Sequence, residues 1–281
     1  MADAVELRTL TYATRDGVAL QGDLYLPKSR ASVPALVAVH GGGWQLGARD
    51  AFQHWGPHLA AHGYAVFAIS YRFAKKGQKA FPHAVHDVLA AVQFVRGNAG
   101  DFGIDPGRIA LFGASAGAHL GALAALGGRS KIFAGGYPGD PHAGVDTSVK
   151  AFIGVYGVYD LVAMWEMYRL TSPLDNNIEN FLGAAPADNR QLYFDASPLS
   201  YATYANNKTA VLLDCGTEDD LVDRKPHSEA FLKALKQAGF FARSCVVQGA
   251  GHYWLNDPLD ETGSYTGFFA PRLLRFLAEK L

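Results

Sequence analysis

Six short apolar runs govern what this chain can fold into: PALVAVH (34–40), YAVFAISY (64–71), RIALFGAS (108–115), KAFIGVYG (150–157), TAVLLDCG (209–216) and FARSCVVQG (241–249). Each is continuous rather than alternating, the pattern of a strand buried on both faces in a parallel sheet. Helical periods lie between them. In AVHDVLAAVQFVRGNAG the residues Val85, Val88, Leu89, Val92 and Val95 recur at i, i+3 and i+4, which predicts one buried helix face. HLAAHG follows Pro57, a residue suited to the first helical position. AGAHLGALAALGG, HSEAFLKALKQAG with its terminal Gly239, and PRLLRFLAEKL read as further helices. Ahead of all these, VELRTLTYA and VALQGDLYL alternate, which predicts an antiparallel pair turned at Asp16-Gly17.

Strand alternating with helix over 281 residues predicts a doubly wound α/β fold, a mostly parallel eight-stranded sheet with helices on both faces. No linker or composition shift divides the chain, so one domain over 1–281 is expected. The stretch 137–207 fits the alternation least, with a weakly periodic LVAMWEMYRL followed by polar loops. An insertion covering a site is expected there.

A hydrophobic content of 49% and a charged fraction of 18% suit a globular protein with a sizeable core. A formal net charge of −1 offers no field for nucleic acid or an anionic membrane. The start MADAVELRTL lacks the basic and apolar regions of a signal peptide, and no apolar run approaches the ~20 residues of a membrane span. Cys215 and Cys245 are too few for a disulfide framework and read as buried thiols, so a cytoplasmic setting is expected. Asn207-Lys208-Thr209 matches a glycosylation acceptor, but with no secretion signal it reads as chance. A homo-oligomer is neither indicated nor excluded.

GASAG, residues 113–117, matches G-x-S-x-G between a predicted strand and a predicted helix. In that context Ser115 sits on a sharp turn, and Gly113, Ala114, Ala116 and Gly117 are small where the backbone doubles back. Ser115 is therefore the candidate nucleophile. Attack on a carbonyl creates an oxyanion that needs preorganised donors. The Ala116 N–H, at a helix start, is one. HGGGWQLG (40–47) follows another buried strand, and Gly42 and Gly43 can offer bare N–H groups with no Cβ in the way. Both Gly-rich elements lie at the carboxyl ends of strands, where open α/β sheets bind ligands.

A serine needs a base. Among ten histidines, His252 follows the last buried strand and is the strongest candidate. His40 reads as a brace for the glycine loop and His119 as a packed or hydrogen-bonded residue. His54, His58 and His62 are spaced for a metal stripe, but Pro57 leaves His54 outside the helix and no carboxylate joins them. His83, His86 and Asp87 are an equally poor metal set. No metal or cofactor is expected. The acid that orients the imidazole must follow TAVLLDCG, where Asp214, Glu218, Asp219, Asp220 and Asp223 are available. Asp214 lies within the strand end and reads as structural, while composition does not separate Asp219 from Asp220.

With these blocks in place, the chain resembles the α/β-hydrolase superfamily, in its hormone-sensitive-lipase-like and BD-FAE-like (feruloyl-esterase-like) esterase branch. The resemblance runs from about residue 10 to the end through HGGGW, SYR (70–72), FPHAVHDVLAAVQFVRGNAGDFGIDPGRIALFGASAGAHL, GTEDDLV and GAGH, in family order. It implies Ser115 as nucleophile, Asp219 as acid, His252 as base, and Gly42, Gly43 and Ala116 as oxyanion donors. The chain departs from the family pattern where FAKKG replaces LAPE after YR and where the longer N-terminal cap is missing. Trp44 after the glycines is similar to the HGG-x-W of arylformamidases. The expected function is a serine carboxylesterase for small to medium esters, with an arylformamidase-type amidase and a non-catalytic binder as alternatives. Trp44, Tyr156, Tyr159, Met164, Trp165, Tyr253 and Trp254 are candidates for a substrate pocket.

Overall fold

The computed structural model describes residues 5–28, 32–172 and 174–281. The leader reading of the first four residues falls outside them. One eight-stranded sheet organises the chain, in the order β1-β2-β4-β3-β5-β6-β7-β8. The strands are β1 (Val5–Arg15), β2 (Val18–Pro27), β3 (Val33–Val39), β4 (Ala65–Ile69), β5 (Ile104–Ala114), β6 (Ala151–Val155), β7 (Ala210–Gly216) and β8 (Ala242–Val247). Pairing is antiparallel from β1 to β2 and from β2 to β4, and parallel from there on. Asp16 and Gly17 turn the first hairpin with φ of 49° and 78°, the left-handed pair that a two-residue turn of matching twist requires.

The six apolar runs all become strands, but β8 departs from the expected two-sided burial. Arg243 and Ser244 are exposed and Cys245 and Val246 half-buried, because β8 is a sheet edge with β7 as its neighbour. β5 starts four residues before the apolar run, since Val33 extends its pairing to Ile104.

The helices are α1 (Trp55–Ala61), α2 (His83–Gly97), α3 (Ala99–Phe102), α4 (Ala116–Ala122), α5 (Leu161–Thr171), α6 (Asn177–Leu182), α7 (Arg190–Ala196), α8 (Ala230–Gln237) and α9 (Tyr265–Lys280). α2, α4, α8 and the α5–α7 group bury their apolar residues against one sheet face. α1 and α9 cover the other. The predicted stripe Val85, Val88, Leu89, Val92 and Val95 is buried, each residue contributing roughly 1.5–3 kcal/mol.

Three boundaries differ from the sequence reading. Pro57 is the third residue of α1 rather than the first. The missing N–H costs nothing there, because first-turn amides have no intrahelical acceptor. α9 begins at Tyr265, six residues ahead of Pro271, because Ser264 caps it by accepting from the Gly267 N–H. The stretch 137–207 does not run as one piece, since β6 lies inside it and α5–α7 follow between β6 and β7. These helices start at side-chain caps from Asp160, Asn176 and Asn189.

Buried polar groups mark the joints. Asp87 on α2 is fully enclosed and receives the Arg72 guanidinium through two bonds, Nη2 to Oδ1 at 2.7 Å and Nε to Oδ2 at 2.9 Å. Asp87 is thus occupied by arginine, and His83 turns its Nδ1 to the Tyr137 hydroxyl at 3.2 Å. Among the described residues no cluster of three or more His, Cys, Asp or Glu could hold a metal, and no helix is long and apolar enough to cross a membrane.

Asp214, on β7, is also fully buried, beside the Cys245 thiol of β8. Burial pushes its pKa up to about 8. The folded chain therefore keeps this proton up to about pH 8, while an unfolded aspartate releases it near pH 4. Rising pH across that window favours the unfolded state. Asp214→Asn should raise Tm over wild type at pH 8.5, and by clearly less at pH 5. Thermal unfolding at the two pH values checks this, and an equal shift at both would rule out ionisation as the cause.

Candidate active site

The turn from β5 into α4 puts Ser115 at φ 53°, ψ −122°, a backbone region that L-residues rarely adopt and that costs about 1–3 kcal/mol. Its neighbours over-determine that geometry. The Ser115 N–H donates to Val155 O at 2.9 Å, and the His119 N–H donates to Ser115 O at 3.1 Å. Gly117 lies so close to β3 that a Cβ there would stand 2.0 Å from Val39 O. Only glycine lets the helix start approach the neighbouring strand this closely.

At the carboxyl ends of β7 and β8, two loops meet. A Cβ on Gly216 would lie 2.0 Å from Ala250 O, and Glu218 N–H donates to that same carbonyl at 2.9 Å. Gly249 N–H donates to Thr217 Oγ1 at 2.8 Å. The packing carries Asp219 to His252. Asp219 Oδ2 accepts from His252 Nδ1 at 2.7 Å, and its Oδ1 accepts the N–H groups of Leu221 (3.0 Å) and Val222 (2.9 Å). With Nδ1 donating, His252 Nε2 is left to accept the Ser115 hydroxyl at 3.1 Å. The His252 and Asp219 side chains are 4% and 1% exposed, so the pair is shielded from screening by water. Asp220 is exposed, and Asp223 Oδ1 is taken by the Lys225 N–H. The choice between Asp219 and Asp220 left open by composition thus falls geometrically on Asp219.

The glycine loop after β3 lies against this turn, since a Cβ on Gly41 would be 3.1 Å from Ser115 Cβ. Gly42 has φ 116°, and a Cβ there would collide with Leu46 O at 2.0 Å, so no other residue fits. Among the described residues none accepts a hydrogen bond from the N–H of Gly42, Gly43 or Ala116. His40 braces the loop as expected, with Nδ1 on Gly41 O at 2.7 Å and its ring stacked on Tyr71. Burial pushes its pKa down.

Most of the aromatic pocket candidates are packed inside the molecule. Trp44 is 1% exposed, stacked on Phe181 and bonded through Nε1 to His119 Nδ1 at 3.0 Å. Tyr159 is enclosed with its ring stacked on Phe231. Trp254 is wedged between Tyr156 and Phe269 on the α9 face, and Met164 is buried in the opposite core. Trp165 is half-buried, donating from Nε1 to Glu179 at 2.7 Å. Tyr156 packs on the His252 ring with centroids 4.3 Å apart, and Tyr253 is exposed beside it at 4.6 Å. An apolar residue in one sequence looks the same whether it lines a pocket or fills a core, which is why these candidates scatter.

One residue near the glycine loop, Asn177, went unread. Asn177 accepts from Gln45 Nε2 at 2.7 Å and donates to the Tyr168 hydroxyl at 3.2 Å. Its amide nitrogen would stand 3.0 Å from a Cβ on Gly43. The Asn176-Asn177 doublet at a helix start was the available signal, but it points to a cap and not to a site 130 residues away.

Comparison with known proteins identifies the family and the fold. Residues 22–235 match the BD-FAE family model. The chain is 34% identical over 208 residues to Esterase LipQ of Mycobacterium tuberculosis, covering 73% of this chain and 46% of that protein. It is 29% identical over 240 residues to an arylesterase of Saccharolobus solfataricus, covering 84% and 72%. The chain spans about half the length of the mycobacterial relative. In structure it resembles esterase 2 of Thermogutta terrifontis phosphoramylated by tabun, with a TM-score of 0.78 at 23% identity, covering 97% of this chain and 94% of that one. At that identity the likeness speaks for the fold, which is that of the α/β-hydrolases. The chain belongs to the BD-FAE family, in the esterase branch of the α/β-hydrolase superfamily.

Proposed function

We propose that this chain is a serine carboxylesterase acting on small to medium carboxylic esters. The observation that carries the reading is the continuous hydrogen-bond chain from Ser115 Oγ through His252 to Asp219. Ser115 attacks the ester carbonyl while His252 Nε2 takes its proton. Asp219 holds the imidazole in the tautomer that can accept, and it stabilises the charged form. The N–H groups of Gly42, Gly43 and Ala116, free of partners within the described residues, bind the developing oxyanion. His252 then protonates the departing alcohol, and water releases the acyl group by the same steps in reverse order.

The names of the relatives support an ester as substrate: LipQ is called an esterase and the Saccharolobus protein an arylesterase. The assembled triad favours catalysis over a purely binding role. The α5–α7 group reaches the glycine loop through Phe181 and Asn177, which supports its reading as the cover of the site. Both thiols are free, Cys215 buried as expected but Cys245 only half-buried because β8 is a sheet edge, and this supports the cytoplasmic setting expected from the sequence.

A p-nitrophenyl ester series from acetyl to decanoyl tests the reading. Wild type should hydrolyse the short esters, and Ser115→Ala or His252→Ala should lower kcat by on the order of 10⁴-fold or more without unfolding the protein. No turnover of any ester by folded protein, with turnover of N-formylkynurenine, would replace the esterase by the formamidase. Asp219→Asn should cost on the order of 10³–10⁴ in kcat, whereas Asp220→Asn should leave the rate near wild type. A large loss from Asp220→Asn with none from Asp219→Asn would reverse the acid assignment.

A further inference from the structure

We propose that Trp44 and His119 are positioning residues whose hydrogen bond holds the two halves of the oxyanion hole in register, an inference that rests on the esterase reading above. The halves come from different elements. Gly42 and Gly43 follow β3, while Ala116 opens α4.

The direction of each glycine N–H is set by the carbonyl in the same peptide plane, because the C=O and N–H of a trans peptide point opposite ways. Gly42 O accepts from the N–H groups of Gln45 and Leu46, each at 3.1 Å, so it faces into the turn and the Gly43 N–H faces out. Gly41 O is held by His40 Nδ1 at 2.7 Å, which aims the Gly42 N–H away from that ring. The turn persists only while residues 42, 43 and 44 keep φ of 116°, 56° and 63°. Glycine does this freely. Trp44 does not, since a left-handed backbone is disfavoured for a bulky side chain.

What holds Trp44 there is its side chain. The indole is stacked on Phe181 of α6 at 5.0 Å, edge-on to His119 at 5.1 Å, and its Nε1–H donates to His119 Nδ1 at 3.0 Å. Its carbonyl accepts from Ala74 N–H at 2.8 Å. His119 is fully buried one turn along α4 from Ser115. Because Nδ1 accepts from the indole, the ring proton sits on Nε2 and donates to Ala196 O of α7 at 2.8 Å. Burial depresses this pKa to about 3, so the ring stays neutral and the pattern of donor and acceptor is fixed. One side chain on α4 therefore grips the anchor of the glycine loop. Without that grip, Gly42 and Gly43 can drift relative to Ala116. The drift weakens binding of the oxyanion more than binding of the uncharged ester, so it acts on kcat rather than KM.

Three variants separate this role from simple core packing. Trp44→Phe keeps a stacking ring and loses the donor. His119→Gln can still donate to Ala196 O but offers no acceptor at the Nδ1 position. His119→Asn places its oxygen where Nδ1 lies and can still accept from Trp44. Trp44→Phe and His119→Gln should lower kcat about 10- to 100-fold with KM within about threefold, and His119→Asn should stay within about threefold of wild-type kcat. Amide hydrogen exchange across residues 40–47 should quicken in the first two variants and not in the third. Retention of kcat by Trp44→Phe and His119→Gln, or a uniform loss in all three in step with Tm, would overturn the proposal. If wild type hydrolysed no ester, the esterase reading would fail by itself. The exchange measurement would still decide the clamp, because unchanged exchange at 40–47 refutes it without any turnover.

Discussion

Everything at the candidate site depends on the parallel pairing of β3 with β5. That register sets Val39 beside Gly113 and so lays the glycine loop directly against the serine turn. The contact is tight enough that Gly117 has no room for a methyl group beside Val39 O. Two elements about 70 residues apart in sequence are thereby held within van der Waals distance by backbone alone. Side chains can be tuned later, but a shift of this register by one residue would exchange the side chains that β3 presents to the two cores.

The buried histidines show how environment assigns chemistry. His119 and His227 are pushed down to about 3 and about 4 by loss of water, with neutral donors or acceptors at their ring nitrogens. Each is a fixed polar connector, not a base. His252 is equally enclosed at its side chain, yet it faces a carboxylate on one nitrogen and a hydroxyl on the other. The ring nitrogens of His119 and His227 are held by backbone groups and an indole, whereas those of His252 meet the Asp219 carboxylate and the Ser115 hydroxyl.

The three helices between β6 and β7 are not an independent layer. Trp44 stacks on α6, His119 bonds to the end of α7, and Gln45 bonds to Asn177. Their inner residues, Met164, Ile178, Phe181 and Tyr193, join the same apolar cluster as α2 and α4. The excursion that broke the strand–helix rhythm is anchored to the glycine loop at several points, so the loop and its cover form one packed unit.

The number and type of the strands, the stripe on α2, the serine turn and the glycine loop were legible in the sequence. Each rests on a local rule: continuous apolar runs, a 3.6-residue period, or small residues where the backbone must double back. Ser115, His252 and the choice of loop for the acid followed from strand ends, which local pattern also marks. What the tertiary structure decided was everything set by distance through space. Asp219 differs from Asp220 only in which carboxyl the packing of Gly216 on Ala250 turns inward. Trp44 differs from a pocket residue only because His119 and Phe181 close around it. β8 is less buried than its neighbours because no strand follows it, and α9 starts early because Ser264 caps it. Side-chain direction and neighbour identity arise from contacts between residues far apart in the chain, and no local period encodes them.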